Sequence, residues 1–196
     1  ERLNIAMVLA GLPGAVSATL NDHVLTFLNR ARKIALGPLE LRDVDAFYSR
    51  AFDELGIRIS PELRLRAAEA TKGSPYLLQL IGYNVANRTP RASEVNQSIL
   101  HDAIHLSEID FENDVCKTTI NALSEKDVEF LDAMAPDTGA SRMSDIAERM
   151  GVTPDYAQKY RRRLIDAGVI GQERRGYVEF AVPYLKEFLR RKADDR

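Results

Sequence analysis

VTPDYAQKYRRRLIDAGVIGQERRGYVEFAV, residues 152–182, carries a helix signal and a hairpin signal in tandem. Thr153-Pro154 places a capping hydroxyl before a proline at the first helical position, and Gly168 closes the helix. At 100° per residue, Ala157, Tyr160, Leu164 and Gly168 fall on one side of it. Gln158, Lys159, Arg162 and Arg163 then point outward, with Asp155 and Asp166 among them. Val169-Ile170 begins a strand and Arg174-Arg175-Gly176 is a hairpin tip. In the return strand Tyr177, Glu179 and Ala181 alternate with Val178, Phe180 and Val182.

The flanks extend the pattern. Upstream, Ser124 caps a helix with Val128, Leu131 and Met134 inward, and Asp127 stands where a capping-box acid would. Residues 136–139, PDTG, form a turn. Met143, Ile146, Ala147 and Met150 mark a short second helix, followed by a tight turn at Gly151-Val152. Downstream, Pro183 opens a last helix with Leu185, Phe188 and Leu189. Helix, helix, turn, helix, two-stranded wing, helix is the order of a winged helix-turn-helix, here residues 123–196. In such a domain the third helix brings long donors to base edges, and the wing reaches a neighbouring phosphate. The candidate DNA contacts are Gln158, Lys159, Arg162 and Arg163 on the helix, and Arg174 and Arg175 on the wing. The competing reading is a solvated face or a protein-docking surface. Residues 124–196 hold 14 Lys+Arg and 14 Asp+Glu, so nothing in the overall charge favours nucleic acid.

Residues 40–122 read as all-helical. Val44, Phe47, Tyr48, Ala51, Phe52 and Leu55 form one stripe ended by Gly56. Ser60-Pro61 starts a helix that runs to Lys72, Gly73-Ser74-Pro75 breaks it, and Tyr76 to Ala86 is the next. A helix from about Ser93 carries Val95, Ile99, Ala103 and Ile104. Residues 1–39 differ. The apolar run Ile5 to Leu9, a helical spacing through Leu20, Val24, Phe27 and Leu28, and a short strand at Lys33 to Leu36 make a βαβ unit. Two parallel strands are marginal alone, so the unit reads as the remnant of a larger sheet. The fold class expected is therefore mainly α, with a βαβ remnant, a helical middle and a C-terminal winged helix.

Hydrophobic residues make 45% of the 196 and charged residues 29%, enough apolar material for a real core. The single Cys116 excludes an internal disulfide and a cysteine-built zinc site. With no secretory signal and no apolar run long enough to span a bilayer, a cytoplasmic setting and no membrane partner are expected. His101 and His105 stand four apart on one helix; with no third ligand nearby they read as a surface pair. No nucleophile elbow and no GxxxxGK[ST] phosphate loop occur, so no catalytic constellation is complete within these residues. No Met begins the chain, which reads as an excised piece of a longer protein.

In its order of parts the chain resembles the C-terminal half of an AAA+ ATPase, especially the archaeal and bacterial group near the origin-recognition initiators. NIAMVLAGLPG looks like the sensor-1 strand, and FLNRARKIALGPL like the arginine-finger segment. ELRDVDAFYSRAFDELGIRIS through TKGSPYLLQLIGYNV looks like the helical lid, and LSEKDVEFLDAMA through VPYLKEFLRR like an appended winged helix. TKGSPYLLQ is also similar to the lid motif of signalling STAND ATPases. The resemblance implies three parts: a partial ATPase core at 1–39, a lid and linker helix at 40–122, and the winged helix at 123–196. It implies that Arg30 or Arg32 is the arginine finger, and that Gly73 and Pro75 make the lid's adenine-side contact. ATP and Mg would belong to the full-length parent, whose N-terminal ATPase core is the missing partner, and none is expected in this fragment. By their position alone, Arg30 and Arg32 also read as solvated cations at a helix C-terminus.

The unaccompanied βαβ strands would either stay disordered before about residue 38 or pair between copies, making a homodimer the expected assembly. Phosphate loops supply most nucleotide affinity through their backbone amides. We therefore expect the isolated 196-residue chain neither to bind nor to hydrolyse ATP appreciably; titration calorimetry should show no saturable heat at micromolar ATP.

Overall fold

The computed structural model describes Arg32, residues 36–90 and residues 92–194. The expected βαβ unit, with Arg30, lies outside them. The chain forms two compact units, one of residues 36–124 with 183–196, the other built on residues 125–182.

In the first unit, helix α1 (Leu41–Glu54) buries Val44, Tyr48 and Phe52, one residue per turn. Phe47 and Leu55 were expected on the same stripe, but they sit at its flank and are about half exposed. The amides of Gly56 and Ile57 return to the carbonyls of Asp53 and Phe52, which satisfies the last turn and swings the chain away. Helix α2 (Pro61–Ala70) and helix α3 (Pro75–Arg88) start alike. Ser60 Oγ accepts from the Leu63 amide and Ser74 Oγ from the Leu77 amide, with proline at the first helical position of each. Helix α2 ends at Ala70, not at Lys72.

Helix α4 (Gln97–Phe111) begins later than the apolar spacing predicted. Asn96 Oδ1 caps the Ile99 amide at 2.9 Å, and buried Val95 lies before the helix, donating to the Arg58 carbonyl at 2.8 Å. A π-helical turn, Glu112–Cys116, then leads into helix α5 (Lys117–Asn121). The core joins Val44, Tyr48 and Phe52 to Ile81, Val85, Leu100 and Ala103. Gly82 faces the Tyr48 ring so closely that a Cβ there would stand 3.2 Å from it.

In the second unit, helix α6 (Glu125–Met134) is followed by strand β1 (Ser141–Arg142) and helix α7 (Met143–Arg149). Gly151, at φ 65°, makes the turn into helix α8 (Pro154–Asp166), a backbone region that side chains with a Cβ rarely adopt. Strands β2 (Ile170–Arg174) and β3 (Tyr177–Phe180) form the predicted hairpin. All three strands make one antiparallel sheet in the order β1-β3-β2, with Ser141 opposite Val178 and Ile170 opposite Phe180. The register slips between Gln172 and Arg174, a bulge at Glu173. Strand β1 was not foreseen; two residues are too few to show an alternation.

Helix α9 (Leu185–Asp194) groups with the first unit. The sequence placed it at the end of the C-terminal domain. Leu185 and Leu189 are buried, and Arg191 pairs with Glu112 of the π-helical turn.

The Tyr48 hydroxyl, fully buried, donates to the Leu78 carbonyl at 2.9 Å and ties α1 to α3. Tyr48→Phe removes that bond while keeping the ring, so urea denaturation should report a loss of about 1 kcal/mol.

Candidate functional site

Two places in the structure gather the residues singled out from the sequence, one in each unit. The first is the outer side of α8 with the β2–β3 hairpin. Thr153 Oγ1 caps the Tyr156 amide, and Ala157, Tyr160 and Leu164 are buried as their spacing requires. Lys159 and Arg162 are exposed and Gln158 is half-buried. Asp155 and Asp166 are exposed on the same helix.

The three consecutive arginines have three different environments. The Arg163 guanidinium lies 2.7 Å from Asp127, whose side chain is only 1% exposed. It fastens the first turn of α6 to α8, so its charge is engaged within the fold. Arg161, passed over in the sequence, donates to Gln158 at 3.2 Å and to Gln172 on β2, tying the helix to the hairpin. Its position, three residues from Gln158, was the available signal. Arg162 has no ion-pair partner among the described residues and faces water. On the hairpin, the Arg174 guanidinium lies 4.0 Å from the Tyr177 ring centroid and 3.9 Å from the exposed Glu173 carboxylate, a stacking that orders it beside a loose ion pair. Arg175 is exposed at the tip. Tyr156, also unforeseen, is 45% exposed and accepts the Tyr160 hydroxyl at 2.9 Å.

The second place is the turn between α2 and α3. Lys72 and Gly73 are both left-handed, at φ 47° and 73°. The Leu39 amide donates to the Gly73 carbonyl at 2.9 Å, and the Gly73 amide to Thr71 Oγ1 at 3.2 Å. A Cβ on Gly73 would stand 2.7 Å from Pro38 Cβ, so only glycine lets the incoming chain pass this closely. Leu39, Leu41, Ala68, Glu69, Thr71, Lys72 and Gly73 line a shallow, mostly apolar cleft of about 280 Å³. Pro75 opens α3 directly after the turn. Arg32 is exposed.

His101 and His105 stack at 6.4 Å, and no metal-ligating cluster occurs among the described residues. Burial pushes the Cys116 thiol up to about 12, aided by Glu112, so it stays protonated and unreactive. No described helix is long and apolar enough to cross a membrane.

Among solved structures, the Walker-type ATPase PABY2304 of Pyrococcus abyssi is similar over 90% of this chain and 50% of its own, with 16% identity and a TM-score of 0.66. The chain thus spans half the length of that ATPase, and it has an ATPase-like fold. The Thermotoga maritima RuvB Holliday junction branch migration motor aligns over 79% of this chain and 50% of its own at 19% identity, but its TM-score of 0.38 supports nothing further. A family model described as a domain of unknown function, DUF8462, matches residues 113–189. No curated protein matches the sequence.

The different environments of Arg162 and Arg163 separate by stability. Arg163→Ala leaves the buried Asp127 carboxylate without its cation and should cost about 1–3 kcal/mol. Arg162→Ala should stay within about 0.5 kcal/mol of the parent. Urea melts of the two variants check this, and equal effects would show that the ion pair holds nothing.

Proposed function

We propose that this chain is the lid and output portion of an ATP-dependent switch protein of the AAA+ type, with residues 123–196 acting as a DNA-binding winged helix. The observation that carries the DNA reading is the set of uncommitted cations on one helix and its hairpin. Lys159 and Arg162 on α8, and Arg175 at the tip, lie exposed with no ion-pair partner among the described residues. Arg174 beside them is pre-ordered on Tyr177. Gln158, braced by Arg161, adds an amide that can read a base edge. The likeness to a Walker-type ATPase over most of the chain supports the switch reading.

In this proposal ATP and Mg are held by an ATPase core that these residues lack. The lid contributes the Leu39–Gly73 cleft to the adenine side, with Gly73 lining it and Pro75 two residues on, at the start of α3. Arg30 or Arg32 would reach a neighbouring subunit's γ-phosphate as an arginine finger, where a guanidinium stabilises developing charge. The described residues contain no donor set that would hold Mg by themselves. A second reading is a STAND-like regulator whose winged helix docks on protein. It is favoured by the even charge of residues 124–196 and by exposed Asp155 and Asp166 on α8.

Fluorescence anisotropy with a labelled duplex across a salt series separates them. Arg175→Ala should weaken binding to all sequences and reduce the salt slope by about one unit. Arg162→Ala should alter sequence preference, a bidentate arginine–guanine contact being worth about 1–3 kcal/mol. Asp155 and Asp166 repel phosphate, so binding should fade near physiological salt. An unmodified chain that fails to bind even at low salt would leave the protein-docking reading.

A further inference from the structure

Two bulky residues with left-handed backbones meet in the first unit. Tyr184, at φ 59°, stands immediately before α9, and Lys72, at φ 47°, lies in the α2–α3 turn. Residues with large side chains seldom adopt this region, and they hold it only where surrounding contacts over-determine it. Here the contacts are mutual. Lys72 Nζ lies 3.8 Å from the Tyr184 ring centroid and 2.9 Å from Glu187 Oε1 on α9. The Tyr184 hydroxyl donates to the carbonyl of Ala70, the last residue of α2, at 2.7 Å. Phe111 meets the same ring edge-on at 6.4 Å.

The geometry points to Tyr184 as a positioning residue: it clamps the Ala70–Ser74 turn, and with it the Leu39–Gly73 cleft, so that the turn and α9 move as one body. The chain of contacts is short. Tyr184 fixes Ala70 and Lys72, Lys72 precedes Gly73, and the Gly73 carbonyl holds Leu39. Both Lys72 and Gly73 line the cleft. Releasing the ring removes the contacts that hold Lys72 and Tyr184 in these backbones. The ionic arm is intact near neutral pH. Burial, the largest single influence, raises the Glu187 carboxyl, but the Lys72 hydrogen bond, a backbone amide and the charges of Lys72 and Lys186 together outweigh it and hold the group below the usual carboxylate range. Burial likewise pushes the Tyr184 phenol up, with Glu108 adding to it, which keeps the hydroxyl a donor. All of these contacts lie within the unit of residues 36–124 and 183–196.

Amide hydrogen exchange on the full chain, without ligand, tests it. Tyr184→Ala should speed exchange at Leu39, Gly73 and Ser74 by about tenfold or more while leaving Val85 and Leu100 near their parent rates, the pattern of a local opening. Tyr184→Phe keeps the ring over Lys72 but loses the bond to Ala70, so it should fall between the parent and Tyr184→Ala. Glu187→Gln removes only the ionic arm and should loosen the same three amides. Unchanged rates at those amides in a folded Tyr184→Ala variant would overturn the proposal, as would an equal rise at Val85 and Leu100. Should Tyr184→Ala fail to fold, Glu187→Gln decides alone: parent-like rates at Leu39 and Gly73 would overturn it.

Discussion

A carboxylate almost wholly out of water has to be met by a cation, and Asp127 is met by Arg163. That pair does more than join α6 to α8. With the half-exposed Arg163 paired to Asp127, the helix rotation places Arg162 in water, 100° away, and leaves Arg161 alongside β2. The Arg161–Gln172 bond then orients the hairpin on which Arg174 and Arg175 are carried. The three consecutive arginines thus differ in what each meets: Gln158 and Gln172 for Arg161, water for Arg162, and a buried acid for Arg163.

Much of the architecture was legible because it is written in local chemistry. Ser60-Pro61, Ser74-Pro75 and Thr153-Pro154 each start a helix where a hydroxyl can cap and a proline loses nothing. The hairpin was legible from its alternation and from the Arg175-Gly176 tip. What escaped depended on partners distant in sequence. Strand β1 exists only because β3 is there to pair with it. Val95 is apolar at helical spacing, yet it bonds across to Arg58 and leaves the helix to begin at Gln97. Phe47 and Leu55 match the stripe of α1 in spacing but face away from its buried centre. At the site, the outward positions of Lys159 and Arg162 followed from the helix period. Arg163 is exposed as its position on the helix implied, but its ion pair needed Asp127, 36 residues earlier.

The final helix shows the same limit from another side. Its apolar residues Leu185 and Leu189 were read correctly as a buried face, but an amphipathic face does not name what covers it. Here the cover belongs to the helical unit, where Glu112 and Lys72 supply charges complementary to Arg191 and Glu187. The helix that follows the hairpin in sequence therefore sits on the unit that holds the α2–α3 turn.

That placement gives the two candidate sites different physical characters. The α8 face depends on which cations the fold leaves in water, a property of exposed side chains that salt screens. The α2–α3 turn depends on backbone that is strained and held, with Gly73 permitting the approach of Leu39, and Lys72 and Tyr184 locked against each other. Surface charge can recognise a partner with little rearrangement. A strained turn suits change, because packed contacts tend to have alternative discrete arrangements rather than a continuum between them. The two places thus differ in kind: one is exposed charge on a helix and hairpin, the other a backbone held by side-chain contacts.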